Sequence, residues 1–182
     1  SDVPLAPSLA PVDAAELAVT WFGHSSALLE IDGYRVLCDP VWSDRVSPSS
    51  TVGPKRMHPV PIELQALPAA DAIVISHDHY DHLDRVTVEA LAALQPEARF
   101  VVPLGIGAHL RRWKVAENRI VELDWDQHVE IDGLRITCTA ALLILLTASA
   151  RTWVISANLF SGSLSYRLFS CFRLCTVSVN TA

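Results

Sequence analysis

The sequence predicts an α/β (or α+β) domain in which helices cover a mixed β-sheet. Three observations support this prediction: two apolar hairpins that turn at Asp-Gly, a continuous apolar run at 71–76 of the kind that is buried on both faces of a sheet, and strand and helix patterns that alternate after it. With 182 residues and 51% hydrophobic content, the chain is long enough for one domain with a sizeable core.

The first hairpin is predicted from apolar runs at 18–22, 26–31 and 34–38, with Asp32-Gly33 between the second and third runs. Asp-Gly in this position favours a type I′ turn, because that turn needs positive φ at both central residues. The same pattern recurs in VEIDGLRITC at 129–138, which predicts a second hairpin.

Loop and helix patterns lie between the two hairpins. Residues 39–61 are rich in Pro, Ser and Gly and predict a long loop, and loops of that length are usually functional or disordered. The segment at 84–94 has Val88, Leu91 and Leu94 at helical spacing, which predicts a helix with Asp84 as its N-cap. A strand in RFVVP, a short helix in GIGAHLRRW and a strand in RIVEL are predicted to follow.

Composition and charge argue against several classes of protein. The formal net charge of -6 and the pI near 5.6 predict no basic surface for nucleic-acid phosphates, so we expect no nucleic-acid partner. No apolar run approaches the roughly 20 residues of a membrane-spanning helix. Four cysteines at wide, irregular spacing favour a reducing, cytoplasmic compartment. Residues 1–17 do not resemble an intact signal peptide and are interpreted as an N-terminal extension.

The densest group of titratable residues is SHDHYDHLD at 76–84, which begins where the predicted buried strand ends. Functional loops of α/β proteins occur at such strand ends. His77 and His79 are two residues apart and can converge on one metal ion, while Asp81 and His82 can face a second ion. Imidazole and carboxylate are ligands that suit Zn²⁺ in catalytic sites, so the spacing predicts a metal site. A polar loop of hydrogen-bonded histidines is the alternative.

The H-x-H-x-D-H pattern resembles the signature of metallo-β-lactamase-fold hydrolases. The wider series GH, DP, SP, GPKR, SHDHYDHLD, PLG and ELDW, between about residues 19 and 139, resembles the N-acyl-phosphatidylethanolamine phospholipase D family and its bacterial relatives. The resemblance implies an αββα sandwich, two zinc ions and hydrolysis of a phosphodiester in N-acyl phosphatidylethanolamine-like lipids. A lactonase or a nucleotide phosphodiesterase of the same fold is the alternative, because the metal motif does not choose the substrate.

The resemblance also implies roles for single residues. His77 and His79 would bind the first zinc, and Asp81 and His82 the second. Asp81 and His82 are also the expected catalytic residues, because the resemblance implies that a hydroxide bridging the two ions attacks phosphorus.

Four more residues lie in segments that match the family. His24 in GH and Asp39 in DP are expected to orient the metal ligands, with a purely structural role as the alternative. Lys55 and Arg56 in GPKR are weaker candidates for contact with a phosphate. The expected partner is a phospholipid or a small phosphodiester, and a lipid substrate implies peripheral contact with a bilayer.

The remaining histidines and the tryptophans are given no part in the chemistry. No metal-ligand spacing connects His58, His109 or His128 to a neighbour, and C-x3-C at Cys171 and Cys175 is a weak metal signal. Four tryptophans are interpreted as core and loop anchors: Trp21, Trp42, Trp113 and Trp125.

The resemblance ends near residue 139. No residue after Asp132 is His, Asp or Glu, so the bridging carboxylate and two later histidines that family members supply cannot come from residues 133–182. Leu142 or Leu143 stands where the first of those histidines is expected. We therefore predict that 18–139 form the N-terminal half of the domain and that an atypical segment at 140–182 replaces the second half. An inactive, truncated product is a further alternative.

The change of composition near residue 140 predicts that residues 140–182 are translated from a shifted reading frame. A diverged segment that packs as an apolar cap is the alternative. The coding DNA after codon 139 tests this, because one of the other two frames should encode a histidine followed later by Gly-Asp. The hypothesis is wrong if neither frame does.

Overall fold

The computed structural model of the chain describes residues 17–47 and 51–139, together with the backbone of three strands at 154–158, 165–169 and 174–179. Of the N-terminal extension expected at 1–17, only Leu17 is described, as the first residue of the first strand. The expectations for Leu142, Leu143 and the side chains of Cys171 and Cys175 lie outside the described residues.

The elements follow the predicted order of a hairpin, alternating strands and helices, and a second hairpin. The strands are β1 (Leu17–Gly23), β2 (Ser26–Ile31), β3 (Tyr34–Cys38), β4 (Ala72–Val74), β5 (Arg99–Pro103), β6 (Ile120–Leu123), β7 (His128–Ile131), β8 (Leu134–Thr139), β9 (Val154–Asn158), β10 (Ser165–Phe169) and β11 (Leu174–Val179). The α-helices are α1 (Arg85–Leu94) and α2 (Gly107–Arg112).

Strands β1 to β6 form one mixed sheet in chain order. β1, β2 and β3 are antiparallel, whereas β3, β4, β5 and β6 are parallel. Both Asp-Gly turns have positive φ at each residue, at 45° and 89° for Asp32 and Gly33 and at 50° and 101° for Asp132 and Gly133. The predicted mixed sheet and both predicted hairpins are therefore confirmed.

Successive residues of the central strands point into two different cores, because side chains alternate between the faces of a sheet. One core joins the sheet to the helices and includes Leu28, Leu37, Ile73, Phe100, Val88, Leu91 and Leu110. The other joins the opposite face to β8 and includes Leu29, Val36, Val74, Val101, Leu134, Ile136 and Cys138. Burial on both faces explains why the sequence of β4 is continuously apolar.

A second, antiparallel sheet has the strand order β7-β8-β11-β10-β9. The described chain thus forms a helical layer followed by two sheets, which agrees with three layers of the expected αββα sandwich. In the ranges described here, no α-helix follows α2, so a second outer helical layer is not among them. None of the helices in these ranges is long and apolar enough to cross a membrane.

Two expectations about apolar residues need correction. Leu94, the third member of the predicted helical stripe, is 41% exposed because it ends α1 at the surface. Trp42 and Trp113 pack against the helix-side core as expected, but Trp21 and Trp125 are 59% and 50% exposed. Trp21 contacts a turn instead, since its Nε1 donates a hydrogen bond to the His24 carbonyl at 2.9 Å.

Asp84 caps α1 and ties the helix to the long loop. Its Oδ1 accepts a hydrogen bond from the Val86 amide at 3.1 Å, as the predicted N-cap should. Its Oδ2 accepts from the Ser43 amide at 2.9 Å and from the Thr87 hydroxyl at 2.5 Å. One buried carboxylate therefore satisfies donors from two segments.

We predict that Asp84→Ala lowers the free energy of unfolding by about 1–3 kcal/mol, because it removes the cap and leaves buried donors without an acceptor. Glu89→Ala on the same helix is the matched control, since Glu89 only pairs with Arg85 at the surface and should change stability by less than about 0.5 kcal/mol. Urea denaturation of both variants measures this, and equal effects would contradict the assignment.

Candidate metal site

The candidate site lies at the carboxyl ends of the parallel strands. Asp39 directly follows β3, and Ser76 and His77 follow β4 by two and three residues. The pairing continues past the strand ends, because the Asp39 amide donates to the Val74 carbonyl at 2.8 Å and the Ile75 amide to the Val101 carbonyl at 3.2 Å. The sheet itself therefore sets Asp39 beside Ser76 at the edge where α/β proteins bind ligands.

A tight turn folds the H-x-H-x-D-H segment back on itself. The amides of His82 and Leu83 both donate to the His79 carbonyl, at 2.9 and 2.7 Å. The His77 ring then lies next to both other imidazoles of the motif, with ring centroids 4.6 Å from His79 and 4.0 Å from His82. The structure thus brings together the three histidines that the sequence singled out.

Asp39 is buried and its carboxylate accepts several hydrogen bonds. Oδ1 accepts from the Ser76 amide at 2.7 Å, and Oδ2 lies 2.7 Å from the Ser76 hydroxyl and 2.8 Å from Nδ1 of His82. Because an ionised carboxylate has no proton to donate, His82 Nδ1 is the donor. Nε2 of His82 is consequently the nitrogen with a lone pair for a metal, and the orientation of that ligand by Asp39 stays a prediction.

His24 approaches the motif from the turn between β1 and β2. The turn has positive φ at Gly23, 104°, and at His24, 50°, and histidine is among the few residues enriched in this region. His24 Nε2 lies 2.7 Å from Asp81 Oδ2, and the Ser25 hydroxyl donates to the Asp81 carbonyl at 2.9 Å. The turn therefore fixes both the side chain and the backbone of Asp81.

The donor set has the chemistry and the spacing of a metal site. Ligand atoms of His24, Asp81 and His82 all lie within 4.8 Å of one another. Asp81 Oδ2 and His82 Nε2 are 3.8 Å apart, close to the roughly 4 Å that two zinc–ligand bonds of about 2 Å can span. His24 Nε2 must carry a proton to bond the Asp81 carboxylate, so in this arrangement that nitrogen holds the carboxylate in place and is not a metal ligand.

The local environment favours the protonation states that metal ligands need. Burial, together with the charge of His82, lowers the pKa of His77 from 6.5 to about 4, so the His77 ring is neutral at neutral pH. Burial alone would raise the pKa of Asp81, but the hydrogen bond from His24 and the charge of His82 bring that pKa below its ordinary value. The site therefore combines a neutral imidazole with an ionised carboxylate.

The two residues of the basic pair in the long loop differ in their surroundings. The guanidinium of Arg56 donates to the Val41 carbonyl at 2.8 Å and to the Phe22 carbonyl at 3.2 Å, which clamps the loop onto β1. Burial lowers the pKa of Arg56. Lys55 is exposed. A phosphate contact for these two residues stays a prediction, as do the ligand and catalytic roles of His77, His79, Asp81 and His82.

Three histidines lie away from the site, as expected. His58 and His128 are exposed, and the His109 ring lies beside that of Trp113, tilted by 41° with 5.6 Å between ring centroids. Sequence reasoning gave no role to Ser76, although it precedes the motif directly. Its only signal was adjacency to His77, because serine has no metal-ligand chemistry of its own.

Comparison with known proteins gives a family. A family model described as a beta-lactamase superfamily domain matches residues 34–153 of the chain. An uncharacterized protein of Mycobacterium tuberculosis is 64% identical over 140 residues, which are 76% of this chain and 37% of that protein.

Two further relatives have descriptive names. N-acyl-phosphatidylethanolamine-hydrolyzing phospholipase D 1 of Caenorhabditis elegans is 40% identical over 126 residues, or 66% of this chain and 35% of that protein. A metal-dependent hydrolase of Saccharolobus solfataricus is 32% identical over 124 residues, or 67% of this chain and 48% of that protein. The chain thus spans between about a third and a half of the length of these relatives.

We predict that the metal-free chain loses stability as the pH falls from about 6.5 towards about 4, because the folded state holds His77 neutral while the unfolded state takes up a proton. Urea denaturation in chelator at several pH values measures this. His77→Gln should flatten the pH dependence, whereas the exposed control His128→Gln should leave it unchanged. An unchanged slope in His77→Gln would contradict the prediction.

Proposed function

Because this chain belongs to the beta-lactamase superfamily domain family, we propose that it is a metal-dependent hydrolase whose site is the turn at 77–82. In its finer form the proposal is a zinc-dependent phosphodiesterase that acts on N-acyl phosphatidylethanolamine-like lipids. The observation that carries it is the facing pair of Asp81 Oδ2 and His82 Nε2, which are 3.8 Å apart, beside the rings of His77 and His79.

Some residues of the site would bind metal ions, and others would position the metal ligands. His77 and His79 would hold one ion, and Asp81 and His82 a second. A divalent ion bound there lowers the pKa of water and neutralises negative charge on phosphodiester oxygens. His24 keeps the Asp81 carboxylate ionised and in place, since its Nε2–H donates to Oδ2 at 2.7 Å.

The relatives support the proposal at two levels. The metal-dependent hydrolase of Saccharolobus solfataricus supports the class, and the 40% identical phospholipase of Caenorhabditis elegans supports the lipid phosphodiester. Two exposed aromatic residues beside the site would suit peripheral contact with a bilayer: Trp21, 59% exposed next to the His24 turn, and Tyr80, 55% exposed next to Asp81. A lactonase or nucleotide phosphodiesterase remains the alternative within the fold.

A second candidate is an inactive product. It is favoured by one observation, that residues 133–182 contain no His, Asp or Glu and so add no ligand to the site. A catalytic zinc normally has three protein ligands and a water, whereas residues 77–82 offer two for each of two ions.

Zinc content and hydrolysis, measured on the same monodisperse preparation, test the proposal. We expect zinc-dependent hydrolysis of a phosphodiester, both as bis(p-nitrophenyl) phosphate and as N-acyl phosphatidylethanolamine in vesicles. Asp81→Asn should lower the rate roughly 100-fold or more, because it weakens a ligand and its contact with His24. Asp78→Asn is the matched control, since Asp78 is exposed in the same turn and has no assigned role.

Three other outcomes would each contradict a part of the proposal. Bound zinc without turnover would overturn the proposed activity in favour of the inactive product. Zinc-dependent hydrolysis of a lactone but not of a phosphodiester would keep the class and overturn the substrate. Equal losses in Asp81→Asn and Asp78→Asn would contradict the assignment of the site.

A further inference from the structure

The hydroxyl of Ser76 is the meeting point of the site's polar groups. Its Oγ lies 2.7 Å from Asp39 Oδ2, 2.9 Å from His77 Nδ1 and 3.3 Å from His82 Nδ1. Ser76 is only 5% exposed, and its amide donates to the other carboxylate oxygen of Asp39 at 2.7 Å. The backbone and the side chain of Ser76 are thus both fixed against the same buried carboxylate.

The protons in this group can be assigned by elimination. A carboxylate only accepts, so the contact between Ser76 Oγ and Asp39 Oδ2 needs the single proton of the hydroxyl. That proton is then not available to His77. The contact of 2.9 Å between Ser76 Oγ and His77 Nδ1 therefore uses a proton on Nδ1, with the serine oxygen as acceptor.

We propose that Ser76 is a positioning residue that fixes His77 as the Nδ1–H tautomer and, together with Asp39, fixes His82 in the same state. A neutral imidazole has one donor and one acceptor nitrogen, so this assignment leaves the lone pair of each ring on Nε2. The inference rests on the proposed function only in naming a metal as what those Nε2 atoms bind.

A simpler role for Ser76 would be to satisfy the buried Asp39 carboxylate without affecting the histidines. The two roles differ in what happens to His77. His82 has its own contact with Asp39 Oδ2 at 2.8 Å, whereas Nδ1 of His77 contacts Ser76 Oγ at 2.9 Å. Removing the hydroxyl should therefore release the tautomer of His77 and leave that of His82 in place.

Long-range ¹H–¹⁵N correlation spectra of the metal-free protein, labelled at histidine, report the tautomer of each ring. At a pH well above the ordinary pKa of histidine, we expect Nδ1–H for both His77 and His82. In Ser76→Ala we expect a mixture of tautomers at His77 only. Ser76→Thr, which keeps the hydroxyl, should restore the wild-type spectrum. Thr87→Ala is the matched control, because its buried hydroxyl bonds Asp84 Oδ2 and the Trp42 amide and has no role in the proposed site.

Zinc affinity gives a second readout. By competition with a chromophoric chelator, we expect Ser76→Ala to bind zinc roughly 10–100-fold more weakly than wild type, as is typical when a group that orients a metal ligand is removed. Ser76→Thr should recover most of the affinity, and Thr87→Ala should lose little.

The proposal is overturned if wild-type His77 is the Nε2–H tautomer, or if Ser76→Ala keeps Nδ1–H at His77 with unchanged zinc affinity. If Ser76→Ala does not fold, the wild-type and Ser76→Thr spectra decide. Because the tautomers are measured without metal or substrate, a protein with the expected tautomers but no hydrolysis would overturn the proposed function alone.

Discussion

The buried carboxylate of Asp39 is the interaction on which the site depends. It accepts hydrogen bonds from the Ser76 amide, the Ser76 hydroxyl and His82 Nδ1, and the Asp39 carbonyl accepts from the Ser26 hydroxyl at 2.8 Å. Asp39 adopts a φ of 41°, which a non-glycine residue holds only where its surroundings fix it. A charge buried to this extent is stable only with such partners, so β2, β3, β4 and the histidine turn are positioned together.

Rigid surroundings hold this arrangement from both sides. The strands that end at the site are buried between two cores, one against α1 and α2 and one against β8. The loop after Asp39 is held by backbone contacts, since Arg56 bonds the carbonyls of Val41 and Phe22 and the amide of Trp42 donates to the Thr87 hydroxyl at 2.9 Å. The side chains of the candidate site therefore project from fixed backbone, which suits a site that must present ligands at set distances.

The sequence predicts much of this, for physical reasons that differ from one element to the next. The Asp-Gly turns and α1 follow from local chemistry, namely positive φ and a capping carboxylate, and His77, His79, Asp81 and His82 follow from spacing. Other features depend on contacts between distant segments. Ser76 becomes informative only when β3 sets Asp39 beside it. The sequence makes Arg56 in GPKR a candidate for contact with a phosphate, whereas its bonds to the Val41 and Phe22 carbonyls depend on how the loop folds back on β1. Trp21 looks like a core residue, but its side chain on the edge strand β1 is exposed.

Diffraction from crystals soaked in zinc, recorded at the zinc absorption edge, tests the central claim most directly, because it locates the ion and the nitrogen that binds it. The account predicts zinc on Nε2 of His82 beside Asp81, with Nδ1 of His82 still bonded to Asp39. Zinc bound through Nδ1 of His82, or bound elsewhere with the turn at 77–82 empty, would contradict it.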